Sequence, residues 1–254
     1  MSTLSREFTV GDHPEVAVTV SSAGVSVVEG DSEAIVLQAE GSEAELEQLL
    51  VMQTGDVITV STRKGGRSWG RGRLKIRLAV PARTAIGVRA ASGDIRILGP
   101  VSDVTIEVAS GDIHLASFNG RARIKTASGD LTVGSAVGGL QVATSSGDVR
   151  VDALDGDLVA STASGDISIG SAAGSVSVKT ASGDVAIRRF SGVDFDGSAM
   201  SGDFSIGLVP GMSIDADFQT RSGSFRNLAP AGTGVRSIKA TMGIKTLSGD
   251  ITLR

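Results

Sequence analysis

Residues 91–133 read ASGDIRILGPVSDVTIEVASGDIHLASFNGRARIKTASGDLTV, and the stretch repeats itself. Ser-Gly-Asp begins at Ser92, Ser110 and Ser128 and continues at Ser146, Ser164 and Ser182, giving five successive intervals of 18 residues. Self-similarity at a fixed period marks a chain built from stacked units, each too small to bury an apolar face alone. Beyond Ser182 the spacing loosens to 19, 21 and 26 residues, at Ser201, Ser222 and Ser248, with Ser224 replacing the aspartate of its triplet. Those longer intervals read as coils that carry insertions.

Aligning the regular units gives columns. Ile95, Ile113, Leu131, Val149, Ile167 and Val185 form one, and Ile97, Leu115, Val133, Val151, Ile169 and Ile187 follow two residues later. Arg96, His114, Thr132, Arg150, Ser168 and Ala186 lie between them, which is the alternation of a strand with one face buried. A second strand per unit places Val104, Ala122, Leu140, Leu158 and Val176 inward, then Ile106, Ile124, Val142, Ala160 and Val178. Turns fall at Ser-Gly-Asp and around Gly120, Gly138, Gly156, Gly174 and Gly192.

The expected fold is therefore all-β: a single-stranded parallel β-helix, or β-solenoid, with about 18 residues and two short strands per coil. Aliphatic ladders would fill a thin core. An antiparallel meander ranks second, because nothing in a meander requires like to pair with like at a constant interval.

The chain is expected to form one continuous domain in three parts. Residues 1–90 hold less regular coils, a short helix and a basic loop; 91–190 hold the regular repeats; 191–254 hold irregular coils of the same solenoid. Residues 43–51, EAELEQLLV, carry the one helical pattern, with Ser42 as N-cap and Glu45 completing a capping box. That helix could cap the solenoid.

Composition narrows the function classes. The 254 residues contain 34 glycines, no cysteine, no tyrosine and 2 histidines, so disulfide and thiolate chemistry are absent and a histidine-based site has little to work with. His13 and His114 stand far apart. A net charge of −4 argues against a general nucleic-acid binder. Neither a leader pattern nor a membrane-length apolar run is evident, and a cytoplasmic location without an integral membrane segment is the expectation. No cofactor or metal is expected.

FTVGDHPEVAVTV at residues 8–20, Leu-Ala-Val-Pro ending at Pro81, the recurrent Ala-Ser-Gly-Asp coils and IKTLSGDITL at 244–253 together resemble a bacterial β-strand-repeat family of unknown function, adhesin-like and related to toastrack domains. The resemblance covers about residues 8–254. It implies a β-solenoid with a sensing or scaffolding role, since toastrack relatives are associated with envelope-stress systems and frequently carry a membrane segment. It identifies no reaction.

Three groups of residues are candidates for chemistry. Asp94, Asp112, Asp130, Asp148, Asp166 and Asp184 should stack along one edge, where carboxylates could attract calcium. Calcium-binding β-rolls, however, need Gly-Gly-x-Gly-x-Asp twice per coil, so the favoured reading is a structural turn ladder. Asp152, Asp155 and Asp157, and again Asp194, Asp196 and Asp203, offer paired carboxylates for a carbohydrate-active enzyme, but Phe195 and Phe204 read as core rather than as sugar-stacking rings. The third group is RKGGRSWGRGR at 63–73, with Arg63, Lys64, Arg67, Arg71, Arg73 and Trp69, the chain's single tryptophan. It lies between strands and lacks the spacing of a phosphate loop. A solvated loop that blunts an edge is its plain reading, and contact with phosphates, an anionic membrane surface or an acidic partner is the functional one.

The expected function is a non-enzymatic scaffold or interaction module with an unidentified protein partner, linked to envelope or stress regulation. The alternatives are the carbohydrate-active enzyme and a self-assembling filament. The last strand, DITLR, ends at Arg254 and is expected to leave an open edge through which a homo-oligomer could form.

Overall fold

The computed structural model describes residues 2–31, 33–63, 74–229 and 238–254. It resolves into two compact units, Met1–Gly129 and Asp130–Arg254, so the division falls within the regular repeats.

In the first unit, parallel strands stack in two columns. One contains Val57–Thr62, Glu15–Ser22, Ala85–Ser92, Val104–Ser110 and the second half of Ile113–Ser128. The other contains Lys75–Val80, Gly24–Glu29, Ile95–Val101 and the first half of Ile113–Ser128. Pairing runs at the repeat interval, Val104 to Ala122 and Ile106 to Ile124. The spatial order is not the chain order: Glu15–Glu29 is inserted between strands that come much later.

This unit also contains antiparallel pairs, a departure from uniformly parallel coils. Ser2–Thr9 pairs with Ala34–Gly41, which pairs with Lys75–Val80, and Leu49–Thr54 pairs with Val57–Thr62. For the last of these pairs the connection explains the change: the short return at Gly55, φ +60°, closes a hairpin, whereas parallel neighbours need a full circuit of the coil.

The helix spans only Glu43–Glu47. Its capping box forms: Ser42 Oγ accepts the Glu45 N–H, and Glu45 Oε2 accepts the Ser42 N–H at 2.8 Å. Leu49–Thr54 is strand instead of a helical continuation, because pairing with Val57–Thr62 satisfies its backbone over more residues than one extra turn would. The helix buries no side chain and packs beside strands Ser2–Thr9, Ala34–Gly41 and Leu49–Thr54.

In the second unit one column runs Leu140–Ser146, Leu158–Ser164, Val176–Ser182, Asp194–Ser201, Ile238–Ser248 and Met212–Ser222. The other runs through the first half of Leu131–Ser146, then Val149–Asp155, Ile167–Ala172, Val185–Phe190, Phe204–Leu208, Ile251–Leu253 and Phe225–Asn227. The final segment of the chain thus lies inside the stack. The expected open edge at DITLR is corrected: Ile251–Leu253 is paired on both sides, with Phe204–Leu208 and with Phe225–Asn227. Among the described residues, the outermost strands on that side are Met212–Ser222 and Phe225–Asn227. The long spacings at Ser222 and Ser248 record this reordering rather than simple insertions.

Both cores are aliphatic columns, as the alternation predicts. In the second unit the column thickens around Phe190, Phe195 and Phe204, all buried, with edge-to-face ring pairs at centroid distances of 6.0 and 6.4 Å. Gly197 makes the room. It occupies the register position of Val178 and Ile244, and an added Cβ would come within 2.7 Å of the Phe204 ring. Buried Thr126, Thr144, Thr162 and Thr246 each donate their hydroxyl to a serine carbonyl two residues on, at 3.1–3.2 Å. These four hydroxyls are thereby satisfied next to the turn, whereas the buried Thr180 hydroxyl at the same position has no hydrogen-bond partner.

Candidate functional site

Within each unit Ser-Gly-Asp turns are joined by hydrogen bonds in which an aspartate carboxylate serves the coil stacked on it. Asp94 Oδ1 accepts the Asp112 N–H at 3.3 Å in the first unit. In the second, Asp130, Asp148, Asp166 and Asp184 accept from Asp148, Asp166, Asp184 and Asp203 at 2.8–2.9 Å. Asp203 then accepts from Asp250, and Asp250 from Ser224, both at 2.8 Å. The glycine of each triplet turns the backbone at positive φ, 132° at Gly165 and 143° at Gly183, a conformation that a Cβ disfavours.

One ladder member titrates unusually. Asp250 is held below the ordinary carboxylate value, chiefly by the Ser224 backbone N–H and then by the Ser224 hydroxyl, against an opposing desolvation that exceeds the further lowering by the Arg226 charge. A second line of turns uses the same device: Asp103 accepts the Arg121 N–H at 2.7 Å, and Asp157 the Ser175 N–H at 2.9 Å.

The remaining carboxylates do not gather into an acid/base pair. Asp152 is ion-paired to Arg150 at 3.2 Å, Asp157 is committed to its turn and Asp203 to the ladder, while Asp155, Asp194 and Asp196 are exposed. Phe195 and Phe204 are buried in the core. Among the described residues no cluster of three or more potential metal ligands occurs, and no helix is long and apolar enough to cross a membrane.

Of the basic loop, Arg63 is exposed and its N–H donates to the Gln48 carbonyl at 3.0 Å. Lys64, Arg67, Trp69, Arg71 and Arg73 lie outside the described residues.

Sequence reasoning missed the apolar side chains held outward on strands. Met200 and Leu247 are 57% and 54% exposed. They are neighbours on adjacent strands, since Ala199 pairs with Thr246 and Ser201 with Ser248. Their column, the residue preceding each turn serine, runs Ala163, Ala181, Met200, Leu247 and Arg221 across successive coils. The signal was legible as the point where a small-residue column changes to large apolar residues. On the same outer column of the first unit, Ala91, Ala109 and Ala127 help floor a shallow groove of about 610 Å³, edged by Lys125 and the Arg89–Glu107 ion pair at 3.0 Å.

The comparisons agree with this architecture. Among solved structures the chain is similar to a "putative adhesin" from Bacteroides fragilis NCTC 9343, at 15% identity, covering 100% of this chain and 97% of that one with a TM-score of 0.52. A "putative lipid binding protein" from Parabacteroides distasonis ATCC 8503 matches at 16% identity over 99% and 96% of the two chains, with a TM-score of 0.49. A "putative adhesin" from the same organism matches at 11% identity over 99% and 97%, with a TM-score of 0.43. No curated protein matches the sequence. At 15% identity the likeness to the Bacteroides fragilis structure speaks for the fold alone, and the family model is what decides membership: matched over residues 13–254, the chain belongs to the Toastrack DUF4097 family.

Proposed function

We propose that this protein is a non-enzymatic interaction module whose outer strand columns contact a macromolecular partner. The observation that carries the reading is the Met200–Leu247 pair. Two large apolar side chains more than half exposed, on paired strands rather than on a loop, are fixed in position without being buried by their own fold. Burying them against a partner would contribute roughly 25 cal/mol per Å² of apolar surface, whereas leaving them in water contributes nothing. Arg221 beside them and the basic loop Arg63, Lys64, Arg67, Trp69, Arg71 and Arg73 supply charges and a ring of the kind found at interface anchors.

Adhesion, the role in the name of the Bacteroides fragilis protein, is contact of the same class. A link to envelope or stress regulation is supported by the resemblance to toastrack relatives. The carbohydrate-active alternative has no paired carboxylates in its favour, since the aspartates of both clusters are spread among turns, an ion pair and open surface.

The test is affinity capture from native lysate with the wild type, a Met200→Ser/Leu247→Ser variant and an Arg67→Ala/Trp69→Ala/Arg71→Ala variant. A protein retained by the wild type and lost from either variant is the expected result. Retention by both variants alike, or no retained protein, would overturn the assignment to these surfaces.

A further inference from the structure

We infer that the second unit contains a phosphate-binding pit centred on Gly207, flanked by Arg188 and Arg254. This site is separate from the Met200–Leu247 surface and stands whether or not that surface binds a protein.

The pit follows from the coil order. Val185–Phe190, Phe204–Leu208 and Ile251–Leu253 are successive strands, and the Arg254 N–H donates to the Ile206 carbonyl at 2.9 Å while the Arg254 carbonyl accepts the Leu208 N–H at 2.8 Å. Arg254 is thereby fixed beside Gly207, with Arg188 on the opposite side. The two arginines lie two strand spacings apart, roughly 10 Å along the stack. Gly207 presents no side chain between them, and none fits, because an added Cβ would overlap the Arg188 carbonyl oxygen. The result is a cavity of about 230 Å³ lined by Arg188, Arg254, Ser168, Ser205, Ala186 and Gly207.

Electrostatics decide what fits. Neither guanidinium takes part in the ion pairs Arg83–Asp12, Arg89–Glu107, Arg96–Asp94 and Arg150–Asp152. The carboxylate that shares a neighbouring pit with Arg188, Asp152, is ion-paired to Arg150 at 3.2 Å, and the turn carboxylates Asp203 and Asp250 each take a backbone N–H of the coil stacked on them. Two arginines lining a small pit, with the half-buried Ser205 on its wall, can meet an anion from three directions. A phosphate group has enough oxygens to accept from two guanidinium forks and a hydroxyl at once; a carboxylate, with two oxygens, leaves one of them unserved.

A phosphate group can be soluble or carried on a lipid, so two probes are needed. Inorganic pyrophosphate is titrated into the full chain by calorimetry, and cosedimentation is measured with phosphatidylcholine vesicles with and without phosphatidic acid. Arg188→Ala, Arg254→Ala and Arg188→Lys are compared with the wild type, using Arg123→Ala on the first unit as control. Far-ultraviolet circular dichroism checks that each variant folds.

Binding of pyrophosphate identifies a soluble phosphate, and binding only to phosphatidic acid vesicles a lipid headgroup. In either case each alanine variant should weaken binding roughly tenfold or more, with Arg188→Lys intermediate because it keeps the charge but not the fork. Arg123→Ala should bind as the wild type does. No binding of either probe, or binding that survives both alanine substitutions, would overturn the site.

Discussion

Asp250 Oδ1 accepts the backbone N–H of Ser224 at 2.8 Å, although Ser224 precedes it by 26 residues. The aspartate of a turn serves whichever coil stacks on it in space, not the one that follows in sequence. Ser224 has no aspartate carboxylate to offer, and its coil is the outermost described one on that side. Removing the acceptor from an interior rung should therefore be costly. Asp166→Ala leaves the Asp184 N–H without its 2.8 Å partner and should destabilise the protein by roughly 1 kcal/mol in urea unfolding, with Asp166→Asn recovering most of the loss. Millimolar calcium should leave the melting temperature unchanged, since the carboxylates act on backbone donors.

Glycine at the turn is a backbone requirement that a matched pair of substitutions can isolate. Gly183 sits at φ +143°, and a Cβ there would overlap the Gly165 carbonyl oxygen. Gly183→Ala should cost more than about 2 kcal/mol. Gly139→Ala meets nothing within 4 Å and should fall within about 0.5 kcal/mol of the wild type. Equal effects would remove the steric explanation.

The depressed Asp250 carboxyl predicts a pH dependence with a definite sign. A carboxyl whose folded value lies below its unfolded value stabilises the protein above the unfolded value, and that contribution disappears as pH falls through the folded one. Carbon-detected titration should find Asp250 titrating below the ordinary carboxylate value. Ser224→Ala removes the hydroxyl donor but keeps the larger backbone contribution, so it should move Asp250 only part of the way back. A full return would assign the effect to the wrong donor.

The period, the inward columns and the capping box at Ser42 were legible because each is local or repeats at constant spacing. Coil order was less so. Ser-Gly-Asp marks a residue's place within a coil and says nothing directly about which coil lies next to it. A subtler signal existed in Ser224, since an outermost coil has no need of an acceptor. The antiparallel strands near the N-terminus escaped because EVAVTV and AIVLQAE alternate in the same way whichever direction their neighbours run. The Gly207 pit escaped because Arg188 and Arg254 become neighbours of one strand only through the insertion of the last segment.

That insertion underlies both the ladder's ending and the arginine pit, and disulfide trapping tests it most directly, because the native chain has no cysteine. Lys245 pairs in register with Ser198 on one side and with Gln219 on the other. Under mild oxidation, Ser198→Cys/Lys245→Cys and Lys245→Cys/Gln219→Cys should each form an intramolecular disulfide. Ser198→Cys/Gln219→Cys should not, its residues being two strand spacings apart and beyond the roughly 7 Å limit between bridged α-carbons. Efficient bridging of that third pair, with failure of Ser198→Cys/Lys245→Cys, would mean that the coils stack in chain order and would contradict the insertion.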